Sequence, residues 1–458
     1  MPFALVENAA SAVPLTPVAP ASLSEALMRL SESERRWVEG LGFKAEAGAF
    51  ALVPGADGSL GRVLVGHKTE EPIWALGGLP EALPAGSYAL DAKPGPAAAT
   101  RMALGWALGA YAFTRYRPRS RVPAELIWPA EADRAEVERL AKGICLARDL
   151  INTPAEEMGP AELAAAAEML AGEHGARCAV LTGDQLLKAN YPMIHAVGRG
   201  SARAPRLIDI LWGDPKAPKV TLVGKGVCFD SGGLDLKTSQ GMRMMKKDMG
   251  GAATLLGLAA AIMDARLPVR LRVLVPAVEN FVSGTSVRPL DVIRTRKGLA
   301  VEIGNTDAEG RLILCDALAE ADSEKPQLIV DAATLTGAAR VALGPELPAL
   351  FANDDGLAEE LLAAGAAESD PLWRLPLWKP YRKLLDSKVG DLNNVSESGF
   401  AGAIIAALFM AEFVTPTTPW AHIDTFAWNH ATRPGRPEGG EALALRALYA
   451  AIKRRFLR

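Results

Sequence analysis

Two carboxylates and an arginine lie within five residues of one another in the second half of the chain. Residues 304–312 read GNTDAEGRL, so Asp307 and Glu309 are separated by one residue and Arg311 follows two positions later. Two carboxylates held this close repel each other, and one of them takes up a proton unless a cation lies between them. A divalent metal ion is the obvious cation.

The elements around this stretch predict how the carboxylates are held. Residues 299–303 have the pattern of a strand, and residues 311–322 carry apolar side chains at helical spacing. The acids therefore lie in a tight strand-to-helix turn, where Gly304 and Gly310 relieve backbone constraint. Acidic residues are also common at helix starts, because they offset the positive end of the helix dipole. Taken alone, the stretch does not decide between a metal site and an ordinary helix start.

A second group of charged residues favours a metal site over an ordinary helix start. Lys225 and Asp230 follow a predicted strand at residues 220–223, and Asp248 comes just before a helix predicted over residues 250–265. In a mostly parallel sheet, the carboxyl ends of the strands meet at one edge. We therefore expect that edge to gather five candidates: Lys225, Asp230, Asp248, Asp307 and Glu309.

The alternation of elements predicts an α/β fold with two domains. In the larger domain, near-continuous apolar strands alternate with helices, which is typical of a mostly parallel central sheet flanked by helices. Strands predicted at residues 207–212 and 220–223 are expected to be neighbours in it. We predict a smaller N-terminal α/β domain at residues 1–128, a connecting helix at 129–154 and a catalytic domain at 155–458.

Composition and charge exclude several classes of protein. The 458 residues are 49% hydrophobic and 22% charged, as in an ordinary globular protein. A net charge of −3 without a long block of one sign gives nucleic-acid binding no support. Four cysteines without paired spacing suit a reducing compartment, and the chain starts without the basic and apolar regions of a secretory signal. We expect a cytoplasmic protein with no membrane partner.

Two alternative chemistries find little support in the motifs. A phosphate-binding loop would use the glycines of residues 224–233, but the pattern G-x-x-x-x-G-K-[ST] is absent and the neighbouring acids would repel phosphate. None of the five histidines forms an H-E-x-x-H pair, so histidine-zinc proteolysis is disfavoured.

Together the two motifs resemble the leucyl aminopeptidase family, also called cytosol aminopeptidases, which are M17-type exopeptidases with two zinc ions. The run NTDAEGRL at residues 305–312 and the run GKGxxFDSGGxxxK at residues 224–237 are both highly specific to that family. The resemblance covers residues 150–458 closely and the N-terminal part only loosely. One departure is residues 424–428, which replace a more glycine-containing run and put the local pocket shape in doubt.

The resemblance implies two divalent metal ions, with zinc or manganese expected. One ion would be held by Asp230, Asp307 and Glu309, and the other by Lys225, Asp230, Asp248 and Glu309. Four carboxylates balance the charge of two such ions. Lys225 is an unusual ligand because it must lose a proton from a group whose ordinary pKa is about 10.4. Two ions about 3.5–4 Å apart can share one water and lower its pKa, which supplies a bridging hydroxide as nucleophile.

The resemblance also assigns the groups that act on the peptide. Lys237 matches the catalytic lysine, whose ammonium would stabilise a developing oxyanion. Arg311 matches the catalytic arginine, which stays protonated and holds a bicarbonate ion as proton shuttle. The backbone amides of Ala308, Gly310 and Leu335 would complete that anion pocket. The alternative for Arg311 is a structural salt bridge.

Specificity and assembly also follow from the resemblance. Met245, Thr334 and Leu335 align with the lining of the first side-chain pocket, although core packing would explain the same residue types. The implied activity is the release of N-terminal leucine or other apolar residues from short peptides by a homohexamer. A regulatory or DNA-binding hexamer is the alternative, but it would be free to lose the ligands, and all are present here. The apolar pocket weighs against a dimetal phosphoesterase.

Overall fold

The computed structural model describes residues 3–68 and 71–457. The described residues form two compact units. One unit contains those up to Cys145 together with Asn429–Glu438, and the other contains Leu146–Trp428 together with those from Gly439 onward. The helix predicted to connect the domains is observed at Arg134–Asn152 and crosses this division. The smaller and larger α/β domains expected from the sequence are both present.

The first unit is built on a six-stranded sheet. Its strands β1–β6 are Leu5–Val6, Val13–Val18, Phe50–Pro54, Leu60–Gly66, Ser87–Leu90 and Glu125–Ile127. Their order is β1-β6-β5-β2-β4-β3, and all neighbours are parallel except the hairpin of β3 and β4. Its helices α1–α5 are Leu23–Met28, Glu32–Gly40, Pro72–Ala75, Leu79–Ala82 and Pro96–Gly109.

The second unit carries the candidate site on a longer sheet. Strands β7–β18 are Arg177–Thr182, Arg206–Trp212, Lys219–Gly224, Gly226–Asp230, Arg270–Asn280, Val292–Arg294, Ala300–Glu302, Leu328–Ala333, Ala349–Ala352, Trp373–Arg374, Leu392–Asn393 and Trp420–Asp424. The short strands Trp428–Asn429 and Gly439–Gly440 (β19, β20) follow. The sheet order is β16-β15-β18-β14-β9-β11-β8-β7, with β10 also paired to β11.

Helices cover both faces of this sheet. The connecting helix is α6, and helices α7–α16 are Pro160–Glu173, Gln185–Lys188, Pro192–Gly198, Ser239–Met242, Gly250–Asp264, Glu309–Ser323, Gly337–Leu343, Asp355–Ala367, Gly402–Ala411 and Leu445–Phe456. Helices α9, α12 and α15 share one apolar cluster with Val223 and Ile329 of the sheet. Helix α11 contacts β9 and β14 from outside that cluster and packs against α16. None of the described helices is both long and apolar enough to cross a membrane.

The central strands are parallel and most of the flanking pairings are antiparallel, which confirms a mostly parallel core. Strands β18, β14, β9 and β11 are parallel neighbours, whereas β8, β7 and β15 pair antiparallel. The expectation that β8 and β9 are adjacent is wrong. The eleven-residue strand β11 lies between them and pairs with both, a contact made some 50 residues later in the chain that local sequence does not encode.

Close packing between α11 and the sheet gives a first prediction. A methyl group added at Gly251 would lie 2.0 Å from the carbonyl oxygen of Ala332 and 2.8 Å from the Cα of Ala333, both backbone atoms of β14. Gly251→Ala should therefore force the helix away from the strand and destabilise the protein by about 1–3 kcal/mol. The midpoint of thermal unfolding, followed by circular dichroism, measures the loss.

Gly172 in α7 is the matched control, because an added methyl group there meets no atom within 4 Å. Gly172→Ala should raise stability by about 0.5–1 kcal/mol, since alanine favours a helix over glycine. Equal effects of the two substitutions would contradict this account of the packing.

Candidate metal centre and active site

Lys225 lies at a break between two consecutive strands that pair with the same neighbouring strand. Strand β9 ends at Gly224, β10 begins at Gly226, and both pair in parallel with β11. The Lys225 N–H donates to the carbonyl of Ala332, and its carbonyl accepts from the N–H of Ala252, both at 3.0 Å. These two bonds fix the lysine between sheet and helix, and its side chain is buried.

The structure brings the predicted acidic residues together from four separate elements. Asp230 ends β10, Asp248 lies in the helical turn Met245–Met249 before α11, Asp307 lies in the turn after β13, and Glu309 is the first residue of α12. Oxygens of Asp230, Asp307 and Glu309 all lie within 4.8 Å of one another. The sequence predicts a strand only at residues 220–223, whereas Asp230 ends a further strand, β10, which places the carboxylate at this sheet edge.

Two ammonium groups lie inside this acidic cluster. The Nζ of Lys225 is 2.8 Å from Oδ2 of Asp248 and 2.9 Å from Oε1 of Glu309. The Nζ of Lys237 is 2.8 Å from Oδ2 of Asp230 and 2.5 Å from Oδ1 of Asp307. Four carboxylates and two ammonium groups carry a net charge of −2 when all are ionised, so the cluster retains an excess of negative charge.

That excess fits a divalent metal. The Oε2 of Glu309 is buried and accepts no hydrogen bond from any residue that the structure describes. A buried carboxylate oxygen without a donor is costly, and a cation would satisfy it. The donor set is carboxylate oxygen with one lysine nitrogen, which suits hard or borderline divalent ions.

The electrostatics of the cluster are those of crowded acids. Burial raises the pKa of Glu309 to about 8, with the charge of Asp230 adding to the effect and Lys225 opposing it. Burial and Asp230 likewise raise the pKa of Asp307 to about 6, against the influence of Lys237. Burial by itself would lower the pKa of Lys225, but Asp248, Glu309 and Asp230 outweigh it and raise that pKa above its ordinary value.

Glycines make room for this arrangement. Gly232 and Gly233 have φ of +89° and +67°, and an added Cβ at Gly232 would lie 2.5 Å from the carbonyl of Asp235. The expectation that Gly304 and Gly310 relieve backbone constraint is wrong, because neither has a positive φ. They provide space instead: a Cβ there would lie 2.4 Å from Oδ1 of Asn393 and 2.8 Å from Nζ of Lys225, respectively.

Hydrogen bonds lock the two motif loops to each other. Thr306 donates its hydroxyl to the carbonyl of Gly232 at 2.7 Å, and its N–H donates to Oδ2 of Asp235 at 2.7 Å. Asn305 accepts from the N–H of Asp307 at 2.7 Å, so it orders the turn. The two sequence motifs are therefore one physical unit.

Two asparagines that sequence reasoning missed also position the site. Asn280, the last residue of β11, donates to Oδ1 of Asp230 at 2.9 Å and to the carbonyl of Thr306 at 3.1 Å. Asn394 accepts from the N–H groups of Gly304 and Asn305 and donates to the carbonyl of Asn305. The position of Asn280 at a strand end is a signal that could have found it, whereas Asn394 belongs to neither motif.

The salt bridge considered as the alternative for Arg311 is not observed with any residue in the described part of the chain. It is buried, it donates to the carbonyl of Asn394 at 2.7 Å, and its buried Nε has no described acceptor. Burial lowers its pKa to about 10, against the charges of Glu309 and Asp424. A guanidinium in that state has donor capacity for an anion.

The backbone amides expected beside Arg311 differ in their availability. The N–H of Leu335 donates to Oδ1 of Asp424 at 3.0 Å, and the N–H of Thr336 donates to the same oxygen. The Ala308 N–H has only a long contact of 3.4 Å to the carbonyl of Asn305. Gly310 lies in the first turn of α12, where backbone N–H groups lack helical partners. A carboxylate of the chain itself thus competes for Leu335.

The predicted pocket residues lie beside the cluster with different roles. Thr334 donates its hydroxyl to Oδ1 of Asp248 at 2.7 Å, so it orients a candidate ligand. Leu335 is half-buried and packs against the main apolar cluster, and Met245 is half-buried in the turn before Asp248. In the same turn, burial lowers the pKa of Lys247 to about 8, against the influence of Asp248.

Comparison with known proteins gives matches over both units. A family described as the cytosol aminopeptidase family, catalytic domain, matches residues 145–449, and the M17 aminopeptidase N-terminal domain matches residues 13–129. A probable cytosol aminopeptidase of Syntrophotalea carbinolica is 46% identical over 321 residues, which are 69% of this chain and 64% of that relative. The alignment thus spans slightly less than two thirds of that relative.

Solved structures match over nearly the whole length. The cytosol aminopeptidase of Coxiella burnetii superimposes with a TM-score of 0.95 at 50% identity, over 99% of both chains. The bottromycin maturation enzyme BotP in complex with Mn superimposes with a TM-score of 0.88 at 35% identity, over 98% of this chain and 100% of that one.

The raised pKa of Glu309 predicts a pH dependence for the metal-stripped protein. The ordinary pKa of this group is 4.5, so between pH 4.5 and about 8 the folded chain holds a proton that the unfolded chain releases. Stability from this group is therefore present at low pH and is lost as the pH rises towards 8. Glu309→Gln, which keeps the side chain neutral, should raise the unfolding midpoint at pH 8 but not at pH 5.

Thermal unfolding of chelator-treated protein at both pH values measures this difference. Exposed Glu39→Gln is the control and should change neither midpoint. A uniform shift of Glu309→Gln at both pH values would contradict the electrostatic account.

Proposed function

Because the chain belongs to the cytosol aminopeptidase family, we propose that it is a metal-dependent aminopeptidase acting on short peptides. The family predicted from the two motifs is confirmed by the catalytic-domain match over residues 145–449, and with it the assignment to the peptidases. The names of the Syntrophotalea carbinolica and Coxiella burnetii relatives both state aminopeptidase activity.

The acidic cluster is the observation that carries the metal part of the proposal. Oxygens of Asp230, Asp307 and Glu309 lie within 4.8 Å of one another, and one Glu309 oxygen is buried without a described donor. Asp230 and Glu309 would each contribute to holding both ions, Asp307 would hold one of them, and Lys225 with Asp248 would hold the other. Zinc or manganese fits this donor set, and the related BotP structure holds Mn.

Divalent ions bound here would supply an activated water and polarise the scissile carbonyl. The protein's own groups then have separable tasks. Thr334 holds the Asp248 carboxylate through its hydroxyl, and Asn280 holds that of Asp230, so both ligands are preorganised. Lys225 has to lose a proton before it can act as a ligand, because an ammonium group has no free lone pair. Without metal, that ammonium is paired with Asp248 and Glu309.

Lys237 is the group proposed to stabilise negative charge on the substrate oxygen. Its ammonium lies at the partly exposed edge of the cluster, with 16% of its side chain accessible. The charges of Asp230 and Glu309 offset its burial and raise its pKa, so it stays protonated at neutral pH. A cation held at the rim of a dry acidic cluster can donate to a developing oxyanion.

Arg311 is proposed to hold a bicarbonate ion that relays the proton. Its unpartnered Nε and the amides of Ala308 and Gly310 supply donors, whereas the third predicted amide, that of Leu335, is bonded to Asp424.

We also propose that the protein prefers leucine and other apolar residues, forms a homohexamer and is located in the cytoplasm. The family resemblance supports them, and the retained ligand set disfavours the regulatory alternative.

Removal of one ligand tests the metal proposal. Asp248→Ala should reduce kcat/KM for leucine p-nitroanilide by about 10³ or more, because the loss of charge stabilisation is worth several kcal/mol. The bound metal, measured by elemental analysis, should fall from two ions to one per chain. Asp214→Ala, which removes an exposed acid from the turn before β9, is the matched control. Full activity of Asp248→Ala in the presence of chelator would refute the proposal.

Substitution of Lys237 tests the catalytic assignment separately. Lys237→Met should lower kcat by about 10²–10³ while the metal content stays constant, because the lysine donates to the oxyanion and is no ligand. Lys216→Met, at an exposed lysine, serves as control. Loss of metal in Lys237→Met, with kcat per bound metal intact, would reassign the lysine to the metal site.

A further inference from the structure

A second lysine close to the cluster has no task in the reaction described above. Lys247 directly precedes Asp248 and is only 4% exposed. Its charged group makes no hydrogen bond or ion pair with any residue within the described ranges. Its contact is with the ring of Phe426, whose centroid lies 4.6 Å from Nζ. A cation over a ring is stabilised by about 1 kcal/mol, which does not replace the hydrogen bonds lost on burial.

The carboxylates nearest to Lys247 are already engaged. Asp248 accepts from the Lys225 ammonium and the Thr334 hydroxyl. Asp424 accepts from the N–H groups of Leu335 and Thr336, and from the Thr336 hydroxyl. The chain thus leaves a desolvated cation beside the active site without an anion of its own.

A second cation lies near the same ring. The Cζ of Arg340, on helix α13, lies 5.2 Å from the centroid of Phe426. Like Lys247, Arg340 forms no ion pair among the residues described, and it is exposed. Two cations on one aromatic ring repel each other, and an anion between them or beside them would relieve that repulsion.

This pair borders the predicted pocket for the first side chain. Lys247 follows Met245 by two residues in the same turn. Phe426 lies in residues 424–428, the segment that departs from the family's run, and Asp424 bonds that segment to Leu335. A methyl group at Gly250 would touch both Ala427 and Thr334, which shows how closely the segment approaches the pocket wall.

We propose that Lys247, assisted by Arg340, binds a carboxylate of the peptide substrate next to the metal cluster. The inference rests on the proposed aminopeptidase function and adds a charge-based specificity to it. The carboxylate has two possible sources: an acidic side chain on the first residue, or the free C-terminus of a dipeptide. Both present the same planar anion to an ammonium and a guanidinium.

Paired substrates distinguish these sources. The first pair is glutamyl and glutaminyl p-nitroanilide, which differ only in the charge of the first side chain. The second pair is Leu-Ala and Leu-Ala amide, which differ only in the C-terminal charge. For one of the pairs, the ratio of kcat/KM values should fall by about tenfold to hundredfold in Lys247→Met, mainly through KM, since a charge-assisted hydrogen bond is lost. Lys247→Arg should retain part of the ratio.

Lys246→Met is the matched control, because the neighbouring lysine already donates to the carbonyl of Asn152. It should leave both ratios unchanged. Arg340→Gln alters an exposed residue, so the protein should still fold, and the same ratio should fall even if Lys247→Met does not fold. The proposal is overturned if neither ratio responds to Lys247→Met or Arg340→Gln, or if Lys246→Met has the same effect as Lys247→Met.

Calorimetric titration separates a failure of this inference from a failure of the proposed function. Glutamate, glutamine and the non-hydrolysable reduced-bond analogues of Leu-Ala and Leu-Ala amide are titrated into the holoenzyme and its variants, so that differences in affinity are seen without turnover. If leucine p-nitroanilide is hydrolysed but neither kcat/KM ratio changes in the variants, only the carboxylate subsite is refuted. If binding depends on the charge but no substrate is hydrolysed, the aminopeptidase function is refuted and the carboxylate subsite stands.

Discussion

The repulsion among four carboxylates at one edge of a sheet is the constraint on which this structure depends. Three of the four are nearly fully buried, and their charges are offset by only two ammonium groups. Such a cluster persists only if the fold over-determines it, because each acid would otherwise move towards water. The same excess of charge that strains the fold is what makes the site suitable for divalent cations.

The fold meets that constraint through secondary structure more than through loops. The break at Lys225 is held by hydrogen bonds to β14 and α11, Asp230 ends a strand, and Glu309 begins a helix. The two interpretations of Glu309, as a candidate metal ligand and as an acidic residue at a helix start, are compatible. The helix dipole stabilises the same carboxylate that contacts Lys225. Asn280 and Thr306 then fix the remaining freedom, so the ligands stay in place while the rim can vary.

A separate set of contacts surrounds Phe426, close to the acidic cluster. Residues 424–428 bring Phe426 against Lys247 and Arg340, and Asp424 occupies the amide of Leu335. These contacts involve none of the candidate metal ligands, and they lie beside the proposed pocket for the first side chain. The proposed chemistry and the proposed selectivity are therefore assigned to different sets of residues, since the first set is held by the sheet and the second is carried by two connecting segments.

The sequence by itself determined the family, the α/β class and the identities of the charged residues that meet at the sheet edge. All of those residues except Asp248 lie in two contiguous motifs, and their short spacing can be recognised from the sequence alone. Only the tertiary structure decided that β11 separates β8 from β9, that Gly304 and Gly310 are required for space, and that Asn394 supports the turn. Each of these features depends on contacts between residues that are far apart in the chain, and such contacts cannot be predicted from local sequence patterns.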